Sequence, residues 1–98
     1  METQPQVGLL TVSLFIGGSE SLKDKRMVVK SIKDKVAARF NVSIAEVDGQ
    51  DKWQVATLAF AIVGADGAYV DRSLKDILSL IDNNYAEAEI IARQIEFF

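Results

Sequence analysis

The stretch Val42-Ser-Ile-Ala-Glu-Val-Asp-Gly-Gln-Asp-Lys-Trp-Gln-Val-Ala-Thr-Leu-Ala-Phe-Ala-Ile-Val63 decides the fold. From Val42 to Val47, Val42 and Ile44 alternate with smaller or polar residues, the period-2 pattern of a strand with one buried face. Asp48-Gly49 then marks a hairpin turn, so a second strand, from about Trp53 to Val63, returns antiparallel to the first. Ala56, Leu58, Phe60 and Ile62 fill one face of that second strand. Val55, Thr57, Ala59, Ala61 and Val63 keep its other face small and largely apolar, which places it inside a sheet rather than at an edge. A hairpin in mid-chain leaves the flanking segments to supply the covering helices and the remaining strands.

Working outward, Leu22, Val29, Ile32, Val36 and Phe40 recur at helical spacing upstream of the hairpin and end at Asn41. Ser21 caps the start of this helix through its hydroxyl, and Asp24 three residues later completes a capping-box pattern. Before it, Val7 to Ile16 alternates as a strand closed by Gly17-Gly18. Downstream, Val70, Leu74, Ile77, Leu78 and Ile81 signal a second helix after Ala65-Asp66-Gly67, and Asn83-Asn84 suits a left-handed stop. Ala88 to Phe97 supplies the last strand. The order strand, helix, strand, strand, helix, strand predicts an α+β, ferredoxin-like βαββαβ domain: a four-stranded antiparallel sheet with two helices on one face. Right-handed crossovers then put the first and third strands at the centre and leave the opposite sheet face uncovered. Residues 1–6, polar and containing Pro5, read as a flexible tail, and residues 7–98 as a single domain.

Composition narrows the function classes. A chain of 98 residues with 49% hydrophobic and 26% charged residues is long enough for one core and is not disordered in composition. With no cysteine and no histidine, disulfides, thiolate chemistry, Ser-His-Asp triads and imidazole-based zinc chemistry are all excluded. No apolar run approaches the ~20 residues that span a bilayer, and no signal peptide is evident. No membrane contact is expected, and a cytoplasmic protein fits. Gly17-Gly18-Ser19 matches neither a phosphate loop nor a dinucleotide fingerprint. Glu46, Asp48 and Asp51 cluster at the hairpin without the spacing of an EF-hand and read as a solvated turn. No catalytic or metal site and no cofactor are expected, so the chain reads as no enzyme.

Charge, however, is segregated. Seven of the 11 basic residues lie between Leu22 and Phe40 against only two acidic ones, Asp24 and Asp34, so that stretch carries +5 and the remainder −8, within a net −3. Lys23, Arg26, Lys30 and Lys33 fall within roughly 80° of one another at 3.6 residues per turn and make one basic stripe. Such a stripe is either a solvated helix surface or a contact for phosphates, whose neutralisation releases counterions. The net negative charge argues against a general nucleic-acid binder and against a DNA partner. Two further groupings stand out. Glu46 shares strand parity with Val42 and Ile44 and so points toward the helix layer, where a lone carboxylate is costly; Lys25, within the angular range of the apolar stripe, is its expected partner in a structural ion pair. Phe15, Trp53, Val55 and Ala59, with Ile91 as a further candidate, fall on the uncovered sheet face, an apolar patch that fits a homodimer.

Ser21-Leu-Lys-Asp-Lys-Arg26, Arg39-Phe-Asn-Val-Ser-Ile-Ala-Glu-Val47 and Gln50-Asp-Lys-Trp-Gln54, in this order and at these spacings, resemble the bacterial domain-of-unknown-function 503 family of YlxP-like proteins. The resemblance covers nearly the whole chain and implies the same ferredoxin-like fold. Two positions depart from the family pattern: Val55 stands where a basic residue commonly follows the Trp-Gln pair, and Asp66-Gly67 where an Asp-Arg pair commonly opens the second helix. The resemblance further implies a small cytoplasmic bacterial protein, often encoded near translation and ribosome-maturation factors including ribosome-binding factor A, with no established enzymatic reaction. The expectation is therefore a noncatalytic accessory protein that meets ribosomal RNA or a ribosomal protein through the basic first helix. The alternative is a small-molecule-binding regulatory module that dimerises through its sheet.

Overall fold

The computed structural model describes residues 4–98. Its elements run β1 (Gln6–Phe15), α1 (Leu22–Arg39), β2 (Ser43–Asp48), β3 (Val55–Gly64), α2 (Gly67–Asn84) and β4 (Glu89–Phe97). All pairings are antiparallel and the sheet order is β2-β3-β1-β4, with the first and third strands central. This is the ferredoxin-like arrangement expected from the hairpin and its flanks.

Alternation in the central strands sorts their side chains cleanly. Leu10, Val12 and Leu14 of β1 and Ala56, Leu58, Phe60 and Ile62 of β3 are buried under the helices, while their odd-numbered neighbours remain at least partly accessible on the other face. Helix α2 lies over β1 and β3 and buries Val70, Leu74, Ile77, Leu78, Leu80 and Ile81. Gly8 permits this close approach, since a Cβ there would stand 2.5 Å from Val70 Cγ1 and 2.8 Å from Leu74 Cδ1. Helix α1 contributes less to the core: Val29, Ile32 and Val36 are buried beside Lys25, and Leu22 and Phe40 are half-buried at its ends.

The helix starts follow from their caps. Ser21 Oγ accepts from the Asp24 amide at 3.1 Å, and Asp24 Oδ2 accepts from the Glu20 amide at 3.1 Å, one residue earlier than a strict capping box. Asp66 caps α2 through the Ala68 amide at 2.8 Å. The end of α2 differs from expectation. Among the described residues none other than glycine has a positive φ, so Asn83-Asn84 provides no left-handed stop. Instead the chain leaves through Tyr85 at φ −132°, whose amide still reaches Ile81 O while its ring is buried and its hydroxyl meets Ser31 Oγ at 2.7 Å. The ring is thus anchored against α1 where the chain leaves helical geometry, and the Asn84 side-chain amide donates to Leu80 O at 2.8 Å in the last turn. At the other terminus Gln6 already belongs to β1, which shortens the expected tail; residues 1–3 lie outside the described residues.

Candidate functional site

Three surfaces and one buried node come from the elements above. The node is Lys25. Its side chain is fully buried, and its Nζ donates to Glu46 Oε2 at 2.9 Å, Gly49 O at 2.6 Å and Val55 O at 3.3 Å. An ammonium has three protons to place. Here each has an acceptor, one charged and two from the backbone, so the first turns of α1 are tied to both strands of the β2–β3 hairpin. Gly49 makes this geometry available at φ +81°, where a Cβ would stand 2.9 Å from Val55 O. The acidic turn is otherwise occupied with its own backbone: Asp48 Oδ1 accepts from the Gly49 amide at 2.8 Å.

The basic stripe lies on α1. Ser31 bonds the Tyr85 hydroxyl and Lys35 Nζ sits 5.6 Å from the Tyr85 ring centre, which marks the side of α1 facing the end of α2. At ~100° per residue, Lys23, Arg26, Lys30 and Lys33 occupy the flank turned away from that contact. Lys23, Arg26 and Lys30 are exposed and Lys33 is half-buried. Lys30 is held by Asp34 at 2.6 Å, one turn on, whereas Lys23, Arg26 and Lys33 make no ion pair among the described residues. Met27 protrudes beside them, 64% exposed.

The uncovered face of the sheet carries Phe15 and Val55 as direct partners across β1 and β3, with Trp53 just before β3 and Ala59 at the middle of that strand. Phe15 and Trp53 are exposed; Val55 and Ala59 are half-buried by their neighbours. Ser13 and Thr57 share a hydroxyl hydrogen bond of 3.0 Å at the centre of this face. Beyond these, a groove opens where α2 leaves the helix side of β4 uncovered. Leu78, Ile90 and Ile95 line it together with Lys75, Asp82 and Arg93, around a volume of about 920 Å³. Sequence reasoning missed this groove, because the helical stripe of α2 and the alternation of β4 are both visible but their lateral offset is not.

A family model described as "Protein of unknown function (DUF503)" matches residues 7–95. The chain belongs to that family. It is 34% identical over 92 residues to the uncharacterized protein YlxP of Bacillus subtilis (strain 168), spanning 94% of this chain and 99% of that one. Two solved structures share the fold over 97% of this chain: the de novo designed protein Foldit4, at TM-score 0.54 and 14% identity over 97% of its length, and a dabb family protein with a ferredoxin-like fold from Mesorhizobium loti, at TM-score 0.52 and 15% identity over 96%. At such identities the likeness concerns the fold alone. In this DUF503 chain the stretches Ser21–Arg26, Arg39–Val47 and Gln50–Gln54 meet in space through one contact set, since they contain Lys25, Glu46 and Gly49 or lie directly beside them. No helix is long and apolar enough to cross a membrane among the described residues.

Proposed function

We propose that this DUF503 protein is a noncatalytic accessory factor of translation or ribosome maturation, docking on ribosomal RNA through the outer flank of α1. The observation that carries the reading is the concentration of Lys23, Arg26, Lys30 and Lys33 on one exposed flank of a chain whose net charge is −3. Three of these four cations make no ion pair among the described residues, so their charge is available to an external anion. The family resemblance, with its neighbourhood of translation factors, supports the ribosome as the source of that anion. Phosphate contact of this kind positions a protein without reading sequence, which fits a stripe without interleaved stacking aromatics.

The test is co-sedimentation with mature and precursor ribosomal subunits across a salt series. Wild type is expected to bind saturably, with affinity falling by an order of magnitude or more between low and physiological salt for three or four phosphate contacts. A Lys23/Arg26/Lys30/Lys33 quadruple alanine variant is expected to lose binding and its salt dependence together. Absence of binding at low salt rejects the reading, and salt-insensitive binding transfers it to a ribosomal protein.

The groove between α2 and β4 favours a second reading, a regulatory module for a small molecule. Its volume falls in the range of ligand sites, and it combines an apolar wall with Arg93, which has no ion pair among the described residues. A small carboxylate that raises Tm saturably, and does so no longer after Arg93→Ala, selects this reading over the ribosomal one.

A further inference from the structure

We infer that the uncovered face of the sheet is the interface of a homodimer, in which two copies pack sheet on sheet about a two-fold axis running along β1 and β3. The face is unusual in its charge. Leu9, Thr11 and Ser13 on β1, Thr57, Ala59 and Ala61 on β3, and Ser43 and Ala45 on β2 form a floor without an ionisable group, bounded at the end of β2 by Asp48, which pairs across from Thr57. Its side chains are small at the centre, where two twisted sheets packing ~10 Å apart approach most closely. Bulk is confined to the ends: Phe15, 38% exposed, and Trp53, 49% exposed, at one, and Val63, 57% exposed, at the other.

Size agrees with a stable pair. Four strands ~4.8 Å apart and about nine residues long at ~3.3 Å each cover on the order of 550 Å² per copy. Two such faces bury roughly 1,100 Å² in total, above the ~1,000 Å² that a specific interface needs and at the low end of the stable class. The alternative of pairing edge to edge is disfavoured by both edges. Strand β4 carries a register shift against β1 at Ser13/Leu14, and β2 carries one against β3 at Glu46/Asp48; such irregularities twist an edge away from a neighbour.

The aromatic ends choose the axis. Glu89 and Glu96 pair across from Phe15 and Leu9 and therefore stand on the open face, at its β4 margin. A two-fold axis across the strands would stack β4 on β4 and set acid against acid. An axis along the strands sets Glu89 over Asp48 of the second copy, so charge does not separate the two arrangements, but it alone brings the two apolar Phe15/Trp53 ends together. The second copy is thus favoured over a charged partner by the lack of charge at the centre of the floor, and over the opposite dimer by the meeting of the apolar ends.

Sedimentation equilibrium over a wide range of protein concentration tests this. Wild type is expected to approach twice its 10.8 kDa chain mass, with Trp53 emission moving to shorter wavelength as the pair forms. Ala59→Glu, which sets a charge in the centre of the floor, is expected to weaken association at least tenfold with unchanged circular dichroism. Val63→Lys places its charge at an already exposed position, so it decides the matter should Ala59→Glu fail to fold. The quadruple variant of the basic stripe is expected to remain dimeric, which separates this interface from the ribosomal reading. A wild type that stays at single-chain mass at submillimolar concentration, or two folded face variants that stay dimeric, overturns the inference.

Discussion

A lysine with no solvent contact is the costliest side chain in this molecule, and what surrounds it determines whether it stabilises the fold. Desolvating an ammonium is several kcal/mol unfavourable unless its protons and charge are both matched. Lys25 has both, from Glu46 and the carbonyls of Gly49 and Val55. Removing either ionic partner strands the other, so Lys25→Ala and Glu46→Ala are each expected to cost about 3–5 kcal/mol in urea unfolding. The double variant should cost clearly less than the two losses together, because the second deletion removes a charge that the first left unpaired. Glu46→Gln, which keeps an acceptor for Nζ, should lose less than Glu46→Ala. Strict additivity in this cycle would mean that the pair contributes no coupling. The ionic half of the node was readable from the chain, through the angle of Lys25 on its helix and the parity of Glu46 on its strand. The carbonyl half was not, since every residue has a carbonyl and only the positive φ of Gly49 aims one at Nζ.

At the scale of elements, strands were read more securely than helix ends. Leu10, Val12 and Leu14 or Leu58, Phe60 and Ile62 leave no choice of face, because a one-residue slip would turn each set into water. Helix α1 is a weaker case, with only three apolar side chains fully buried; its start was nevertheless legible because Ser21 and Asp24 announce a cap whatever the helix then packs against. The end of α2 was misread for the opposite reason. Asn83-Asn84 carries a local preference for a left-handed stop, but Tyr85 is drawn into the layer between the helices by burial and by Ser31, and tertiary packing outweighs that preference. The register shifts in both edge strands were equally invisible, since a bulge is a relation between two strands and neither strand encodes it alone. The groove beside β4 follows from such a relation, with α2 centred on β1 and β3 rather than on the edge.

For the whole molecule, these asymmetries divide stability between a centre and two margins. Strands β1 and β3 are paired on both sides and lie under α2, whereas β2 and β4 are each paired on one side and β4 is poorly covered. Amide hydrogen exchange should therefore be slowest at Leu10 to Leu14 and Leu58 to Ile62, where opening requires global unfolding, and fastest at the irregular stretch Ile90 to Ala92. Along the rest of β4 protection should alternate, since only amides turned toward β1 have a partner and those turned outward meet solvent. The same measurement bears on how copies associate. Packing face to face covers side chains and leaves the outward amides of β4 free, so their exchange should not slow as protein concentration rises. Concentration-dependent protection confined to those amides would instead show a strand added at the edge, and would place the second copy, or another chain, beside β4 rather than beneath the sheet.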